Sequence, residues 1–479
     1  MKKNEFKNFV WYLLPFGFKN ILPLITLPIF TQYISVEDFG LYALAIFYGS
    51  VISGIVNLGL SGVFERSFFE LDPVMRKNLL WTVLIFILFF YSVFLMLTYQ
   101  LTHFVASRVF QEVAIEDLLI LALSFQVFKS LNLYYLSYFK NYENAKKYTY
   151  VAVIESMLSI GLALYLVMNY AMGIHGFLLG QFLGVVLCFL GLFCYTFFPF
   201  NRKFEWRLLK EQLKLSLPLT PRIFFGVINT QFDRYMLGLL SAIGGVGIFD
   251  ISQKIANTSF VFMTTIQNIF SPTVYRKLFS KDKNEYNSVG KYLTPFFYLC
   301  ILFSIFVGLF AYEILVLLTT KSFHSGAPII SILTILYGFY FFGKQPQLMY
   351  AKKTGLISFL SFFSILTNIA LNIPLIHFYG VLGAALATTI SGIMSSLVNY
   401  YFAQKHAPIL WEKRVFVILG YFTLSIVMIL LLDYIQIEYL LLLLIKVSII
   451  IIYLIIGNRY GYVTIKNGKD LYQSLIYEK

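Results

Sequence analysis

The sequence predicts an all-α polytopic membrane protein, and three observations predict it. Apolar runs long enough to cross a bilayer fill the 479 residues almost end to end; a crossing helix needs about 20 mostly apolar residues. Charged residues are 13% and hydrophobic residues 59%, whereas a soluble domain carries about 25% charge. With the N-terminus placed in the cytoplasm, Arg108 and Lys321 are the only Lys or Arg in segments facing outward. That asymmetry is the one by which cytoplasmic loops are recognised, and a missed or extra run would scramble it. About fourteen crossing helices are therefore expected, with both termini cytoplasmic.

In chain order the runs are 9–33, 41–64, 79–103, 118–138, 148–170, 175–198, 215–239, 248–273, 293–318, 329–350, 356–377, 381–402, 415–432 and 439–457. The first follows a basic segment, Met1–Val10, but is too long for a signal peptide and lacks a small-residue cleavage site, so it reads as a retained span. It carries Pro15, Pro23 and Pro28; the seventh carries Pro218 and Pro221. Proline removes backbone hydrogen bonds and is tolerated in membranes where neighbours or water replace them. Broken helices at matching places in two halves point towards a substrate path.

The halves themselves are legible as a duplication. Phe39-Gly40-Leu41-Tyr42 opens the second run, and Val246-Gly247-Ile248-Phe249 opens the eighth, 207 residues on. Ala145-Lys146-Lys147 precedes the fifth, and Ala351-Lys352-Lys353 precedes the eleventh, 206 on. Gly176-Phe177-Leu178-Leu179-Gly180 opens the sixth, and Gly380-Val381-Leu382-Gly383-Ala384 opens the twelfth, 204 on. A six-run unit returns the chain to the same side, so the copies are parallel, and such lobes commonly enclose a central path. The expected organisation is one six-helix lobe over 1–198, a cytoplasmic linker over 199–214 and a second lobe over 215–403. Two extra helices and a cytoplasmic tail follow over 404–479.

Ionisable residues inside the runs are the candidate site, because a charge at the bilayer centre costs roughly 3 kcal/mol on insertion scales and normally faces a cavity or a partner. They are Lys19, Lys129, Arg222, Arg234, Lys254 and Lys446 against Glu155, Asp233 and Asp250, an excess of +3 (6 − 3). Lys19 and Arg222 are the leading candidates to line a cavity: they sit on the proline-bearing helices of the two halves, near mid-depth, with no acid nearby in sequence. Asp250 and Lys254 are four apart and can pair on one helix face. Asp233 and Arg234 are adjacent, so they diverge by about 100°. Lys446, in the last run, is expected to snorkel or pack. A cationic cavity suits an anionic ligand, and arginine matches phosphate bidentately.

Much chemistry is excluded. The net charge of +14 belongs to cytoplasmic loops rather than to a nucleic-acid footprint. There is no Walker A sequence, no HExxH and no GxSxG. Cys188, Cys194 and Cys300 lie in apolar runs without metal spacing, and the five histidines lie at or near run ends. No outward loop is long enough to carry an enzyme's chemistry. Neither an enzyme, a metal nor a cofactor is expected.

The residues of the seventh and eighth runs carry a resemblance. Leu217-Pro218-Leu219, Asp233-Arg234-Tyr235-Met236-Leu237-Gly238, Gly245-Val246-Gly247-Ile248-Phe249 and Lys254-Ile255-Ala256 form one series. With it go Pro28-Ile29-Phe30-Thr31-Gln32-Tyr33-Ile34, Phe39-Gly40-Leu41-Tyr42 and Gly380-Val381-Leu382-Gly383-Ala384-Ala385-Leu386-Ala387-Thr388. The chain resembles the polysaccharide biosynthesis transporters, the O-antigen and exopolysaccharide flippases of the multidrug/oligosaccharidyl-lipid/polysaccharide exporter superfamily. The resemblance covers most of the chain. It implies two six-helix lobes around a central cavity. It also implies movement of an undecaprenyl-diphosphate-linked oligosaccharide from the inner to the outer leaflet of a bacterial cytoplasmic membrane. The implied partners are that lipid-linked substrate, membrane lipids, a polysaccharide polymerase and other glycan assembly proteins; no nucleic acid is among them. Lys19 and Arg222, then Lys129, Lys254 and Arg234, look like the cations for the diphosphate, with Glu155 or Asp233 for ion coupling. The drug-exporting branch usually carries an acid in its first span, where this chain has Lys19. The competing readings are a cation-coupled exporter of small amphiphiles, a membrane-embedded polymerase or acyltransferase, and a scaffold for glycan assembly.

Overall fold

Helix follows from the apolar runs almost without exception, and local signals set its ends. A computed structural model describes residues 3–142, 144–198, 202–343 and 345–462. The helices are α1 (Lys3–Tyr33), α2 (Val36–Asn57), α3 (Leu60–Glu70), α4 (Pro73–Phe104), α5 (Glu116–Asn141) and α6 (Ala145–Tyr170). They continue as α7 (Gly173–Phe197), α8 (Trp206–Ser216), α9 (Thr220–Leu240), α10 (Ile243–Leu278), α11 (Lys283–Asn287) and α12 (Val289–Leu309). The last are α13 (Ala311–Leu318), α14 (Ala327–Gly343), α15 (Gln347–Tyr350), α16 (Thr354–His406), α17 (Lys413–Tyr434) and α18 (Tyr439–Arg459). No strand occurs among the described residues. Ser35 caps α2 by accepting from the Asp38 amide at 3.1 Å. Asp72 caps α4 by accepting from Val74 and Met75 at 2.9 and 2.8 Å, with Pro73 in the first position; its missing N–H is not needed there.

Each of the fourteen runs coincides with helix along most of its length. Nine helical stretches among the described residues are long and apolar enough to cross a membrane, and the protein is a multi-pass membrane protein. One of the nine, Gly355–His406, covers two runs, divided at Gly380, whose φ of 55° breaks the helical path. The first half uses the same device: α6 and α7 are separated at Ala171 and Gly173, with φ of 53° and 52°. Proline behaves differently in the two halves. α1 runs on through Pro15, Pro23 and Pro28, whereas Pro218 sits in a 3₁₀ turn (Leu217–Leu219) and Pro221 at the start of α9. The matched broken helices expected from sequence are therefore not matched: the later prolines occupy a junction where no amide hydrogen is required.

Two compact units divide the chain, Met1–Gly247 and Ile248–Glu478. The core of the first joins α3, α4, α5 and α7 through Phe64, Phe68, Tyr134, Tyr135, Phe189 and Phe197. α9 belongs to this unit and packs along α2, with Tyr235 stacked on Phe47 at 5.4 Å. The core of the second gathers α10, α12, α14, α17 and α18. There Tyr298 and Tyr453 stack at 4.5 Å, and each hydroxyl donates to the other's carbonyl, at 2.7 and 3.0 Å. This double clasp fixes α18 against α12.

Candidate functional site

Three of the predicted residues come together in the first unit. α1 packs along α6, and α5 packs on both α6 and α7. Lys19 Nζ lies 3.9 Å from Glu155 Oε1, with the lysine side chain 34% exposed and the glutamate 9%. Lys129 acts on the same carboxylate, and the Asn132 amide stands beside it. Lys129 and Asn132 are one turn apart on α5, which puts both on one face. Asn132 is anchored by donating from Nδ2 to the Val185 carbonyl at 3.1 Å. Lys129 Nζ also lies 5.3 Å from the Phe125 ring centre, within cation–π range.

Glu155 Oε2 is buried and has no hydrogen-bond partner among the described residues. Two lysines in the neighbourhood of one carboxylate, one of them paired with it, leave this cluster a surplus of one positive charge. The sequence placed no acid near Lys19, because the acid comes from α6, 136 positions away (155 − 19). Asn132 had no sequence signal at all; a polar residue in an apolar run is common, and only the packing of α5 on α6 gives it a role.

The other predicted residues do not join this cluster. Arg222 falls in the first turn of α9 rather than mid-helix, because the junction before it shortens the helix; its side chain lies outside the described residues. Asp233 is buried, and Arg234 Nη1 donates to the Thr230 carbonyl at 3.2 Å, a bond back along its own helix. In the second unit Lys254 Nζ meets Asp250 Oδ2 at 2.6 Å. The approach is close but poorly angled for a hydrogen bond, so it is an ion pair of the expected one-turn kind. Lys446 neither snorkels nor packs alone. It is 3% exposed and donates to both oxygens of Glu313, at 2.8 and 2.9 Å. Glu313 and Lys344 also fall within runs and enter the charge balance with opposite sign; Lys344 lies outside the described residues.

Several of the sequence motifs meet in the first unit. A Cβ on Gly40 would overlap the Ile243 carbonyl, and one on Gly247 would overlap the Val36 carbonyl. The bare glycines let α2 and the start of α10 touch backbone to backbone. Phe177, from the sixth-run motif, packs edge-on against Tyr42 at 5.1 Å and Phe30 at 4.6 Å. Tyr42 donates to Gln181 Oε1 at 3.2 Å. No group of three or more His, Cys, Asp or Glu able to hold a metal ion occurs among the described residues.

With that geometry in place, comparison with known proteins gives the following. The sequence model of one family, described as polysaccharide biosynthesis protein, matches residues 6–275. No curated protein matches the sequence. The lipid II flippase MurJ, solved in an inward closed conformation, is 18% identical; the match covers 95% of this chain and 100% of that one, with a TM-score of 0.71. An inward-facing multidrug resistance MATE family transporter of the MOP superfamily is 14% identical over 86% of this chain and 95% of its own, with a TM-score of 0.61. A MOP superfamily transporter from Pyrococcus furiosus, whose structure was described for a binding pocket of reverse polarity, is 13% identical. Its match covers 86% of this chain and 96% of its own, with a TM-score of 0.56. At these identities the structural matches speak for the fold: this chain has the fold shared by MurJ and the MATE transporters.

Proposed function

We infer, because the chain belongs to the polysaccharide biosynthesis protein family, that it is a flippase for lipid-linked saccharides. Its substrate would be an undecaprenyl-diphosphate-linked oligosaccharide, a repeat unit of O-antigen, capsule or exopolysaccharide. It would carry this unit from the inner to the outer leaflet of a bacterial cytoplasmic membrane by alternating access. The carrying observation is the cluster of Lys19, Lys129 and Glu155, a membrane-embedded site with surplus positive charge and one lysine a third exposed. A diphosphate is the part of such a substrate that needs charge to enter a membrane protein, and preplaced cations meet that need. Lys19 would bind the diphosphate directly and Lys129 would add to the field. Arg222, Arg234 and Lys254 complete the set of candidate cations.

Glu155 is the leading candidate for ion coupling, ahead of Asp233. One of its oxygens already holds Lys19 and the other has no partner. An arriving diphosphate would draw Lys19 away and leave the carboxylate to take up a proton. Binding of substrate and of proton would then be linked through one lysine.

The test is the leaflet distribution of lipid-linked oligosaccharide in cells lacking this protein. Accumulation on the inner leaflet, relieved by the wild type but not by Lys19→Gln with Arg222→Ala, is the expected result. Normal arrival at the outer leaflet without polymerisation would reject the flippase reading in favour of a polymerase or scaffold.

A further inference from the structure

The second unit contains a cavity that the proposed transport does not use. It has a volume of about 450 Å³ and lies among the ends of α12, α13, α14, α17 and α18. That size is within the range of small-ligand sites. Its charged and polar lining includes Tyr312, Ser331, Asp433, Tyr439 and Lys446.

The charges of this lining are not balanced. Lys446 is buried and already gives two hydrogens to Glu313, so its charge is spent inside the protein. Ser331 is likewise committed, donating to the Gly308 carbonyl at 2.7 Å. Asp433 stands in the last turn of α17, is exposed, and has no ion-pair partner among the described residues. The lining holds one acid and one base, Asp433 and Lys446, but the lysine is already matched by Glu313 from outside the lining, which leaves Asp433 without a counter-charge. The C-terminus of α17 adds the negative end of a helix dipole at the same place. Tyr312 and Tyr439 line the same cavity as this carboxylate, with ring centres 6.3 Å apart and planes at 66°. Aromatic rings and a carboxylate without an ion-pair partner in one cavity are the elements by which proteins hold ammonium groups.

The surroundings favour a ligand that arrives from the membrane. Leu431, Ile435, Leu440 and Leu441, on or between α17 and α18, are all exposed. Apolar surface on either side of a polar cavity fits acyl chains beside a headgroup.

We propose that this cavity binds an ammonium group, held by the Asp433 carboxylate and the faces of Tyr312 and Tyr439. The same chemistry is offered by an aminophospholipid headgroup and by a free amine. Because the site is separate from the cluster around Lys19, it stands or falls independently of the transported substrate.

The test uses the full chain, purified in detergent and stripped of lipid. Binding of phosphatidylethanolamine and of phosphatidylglycerol is followed by native mass spectrometry, and binding of free ethanolamine by the shift in thermal unfolding. Phosphatidylethanolamine is expected to bind at least about tenfold more tightly than phosphatidylglycerol, the value of one charge-assisted hydrogen bond. Asp433→Asn should remove that preference, and Tyr439→Leu, which keeps the carboxylate, should weaken it. Saturable, Asp433-dependent binding of either amine supports the site, and the tighter of the two identifies the source. Equal binding of the two phospholipids, with no Asp433-dependent shift by ethanolamine, would overturn the proposal. So would an Asp433→Asn protein that binds as the wild type does.

Discussion

Two lysine–glutamate pairs inside this protein use the same side chains to opposite effect. Lys446 and Glu313, in the second unit, form a two-pronged contact at 2.8 and 2.9 Å with the lysine 3% exposed. Lys19 and Glu155, in the first, are 3.9 Å apart with the lysine 34% exposed and one carboxylate oxygen unpartnered. The first pair has every reason to stay as it is: both carboxylate oxygens are used, and the lysine is out of reach of water. The second is at the outer limit of an ion pair and has a competitor for each member, a second lysine for the carboxylate and solvent for the amine. A tie between helices calls for the former geometry. A site that must release one partner to hold a ligand calls for the latter.

The largest effect is expected from breaking the closed pair. Glu313→Gln leaves a buried, uncompensated ammonium, and losing one member of a buried pair costs about 3–5 kcal/mol. Thermal unfolding of the purified protein should show a large fall in midpoint. The double variant Glu313→Leu with Lys446→Met removes both charges and should recover most of it, since a buried pair is often no better than a well-packed apolar one. If Glu313→Gln unfolds like the wild type, the pair is not buried as described and the contrast between the two regions collapses.

The open pair should respond in the reverse manner. Lys19→Gln removes a partly exposed partner, so a stability change under about 1 kcal/mol is expected. Transport, read as the outer-leaflet share of lipid-linked oligosaccharide, should fall by roughly tenfold or more, the loss of one charge-assisted contact. Glu155→Gln should leave stability intact, because it removes a buried charge with an unsatisfied oxygen, while abolishing any dependence of transport on pH. A Lys19→Gln protein that is unstable but fully active would make this pair the structural one.

How much of this was legible in the sequence divides along the same line. Hydrophobic length located the helices, because it acts through local composition. The pairing of Asp250 with Lys254 was legible too, since one helical turn brings them together. Glu313 stands inside the ninth run as visibly as Glu155 does in the fifth, but its pairing with Lys446 was not legible, because the two are 133 residues apart (446 − 313) and meet only in the folded chain. Lys19 lacked a visible acid for the same reason. The helix break at Gly380 coincided with a repeated glycine motif and was expected as a boundary. Pro218 and Pro221, at the junction that opens α9, misled, since a proline marks a break without saying whether it lies within a helix or between two.

The smallest effect is expected at the third pair, which makes it the control for the other two. Lys254 and Asp250 stand one turn apart on α10, with the lysine side chain 42% exposed and the aspartate 4%. An exposed ion pair of this spacing contributes about 0.3–0.5 kcal/mol, so Lys254→Gln combined with Asp250→Asn, which leaves no buried charge behind, should barely move the unfolding midpoint. Lys254→Gln alone is the variant for transport. Its effect on transport separates two explanations of the Lys19 result. If any loss of membrane-embedded positive charge slows the substrate, Lys254→Gln will act like Lys19→Gln, and the field of the whole site is what matters. If transport stays within about twofold of wild type, the effect at Lys19 belongs to that position: a lysine loosely held, partly open, and shared with an acid that has an oxygen to spare.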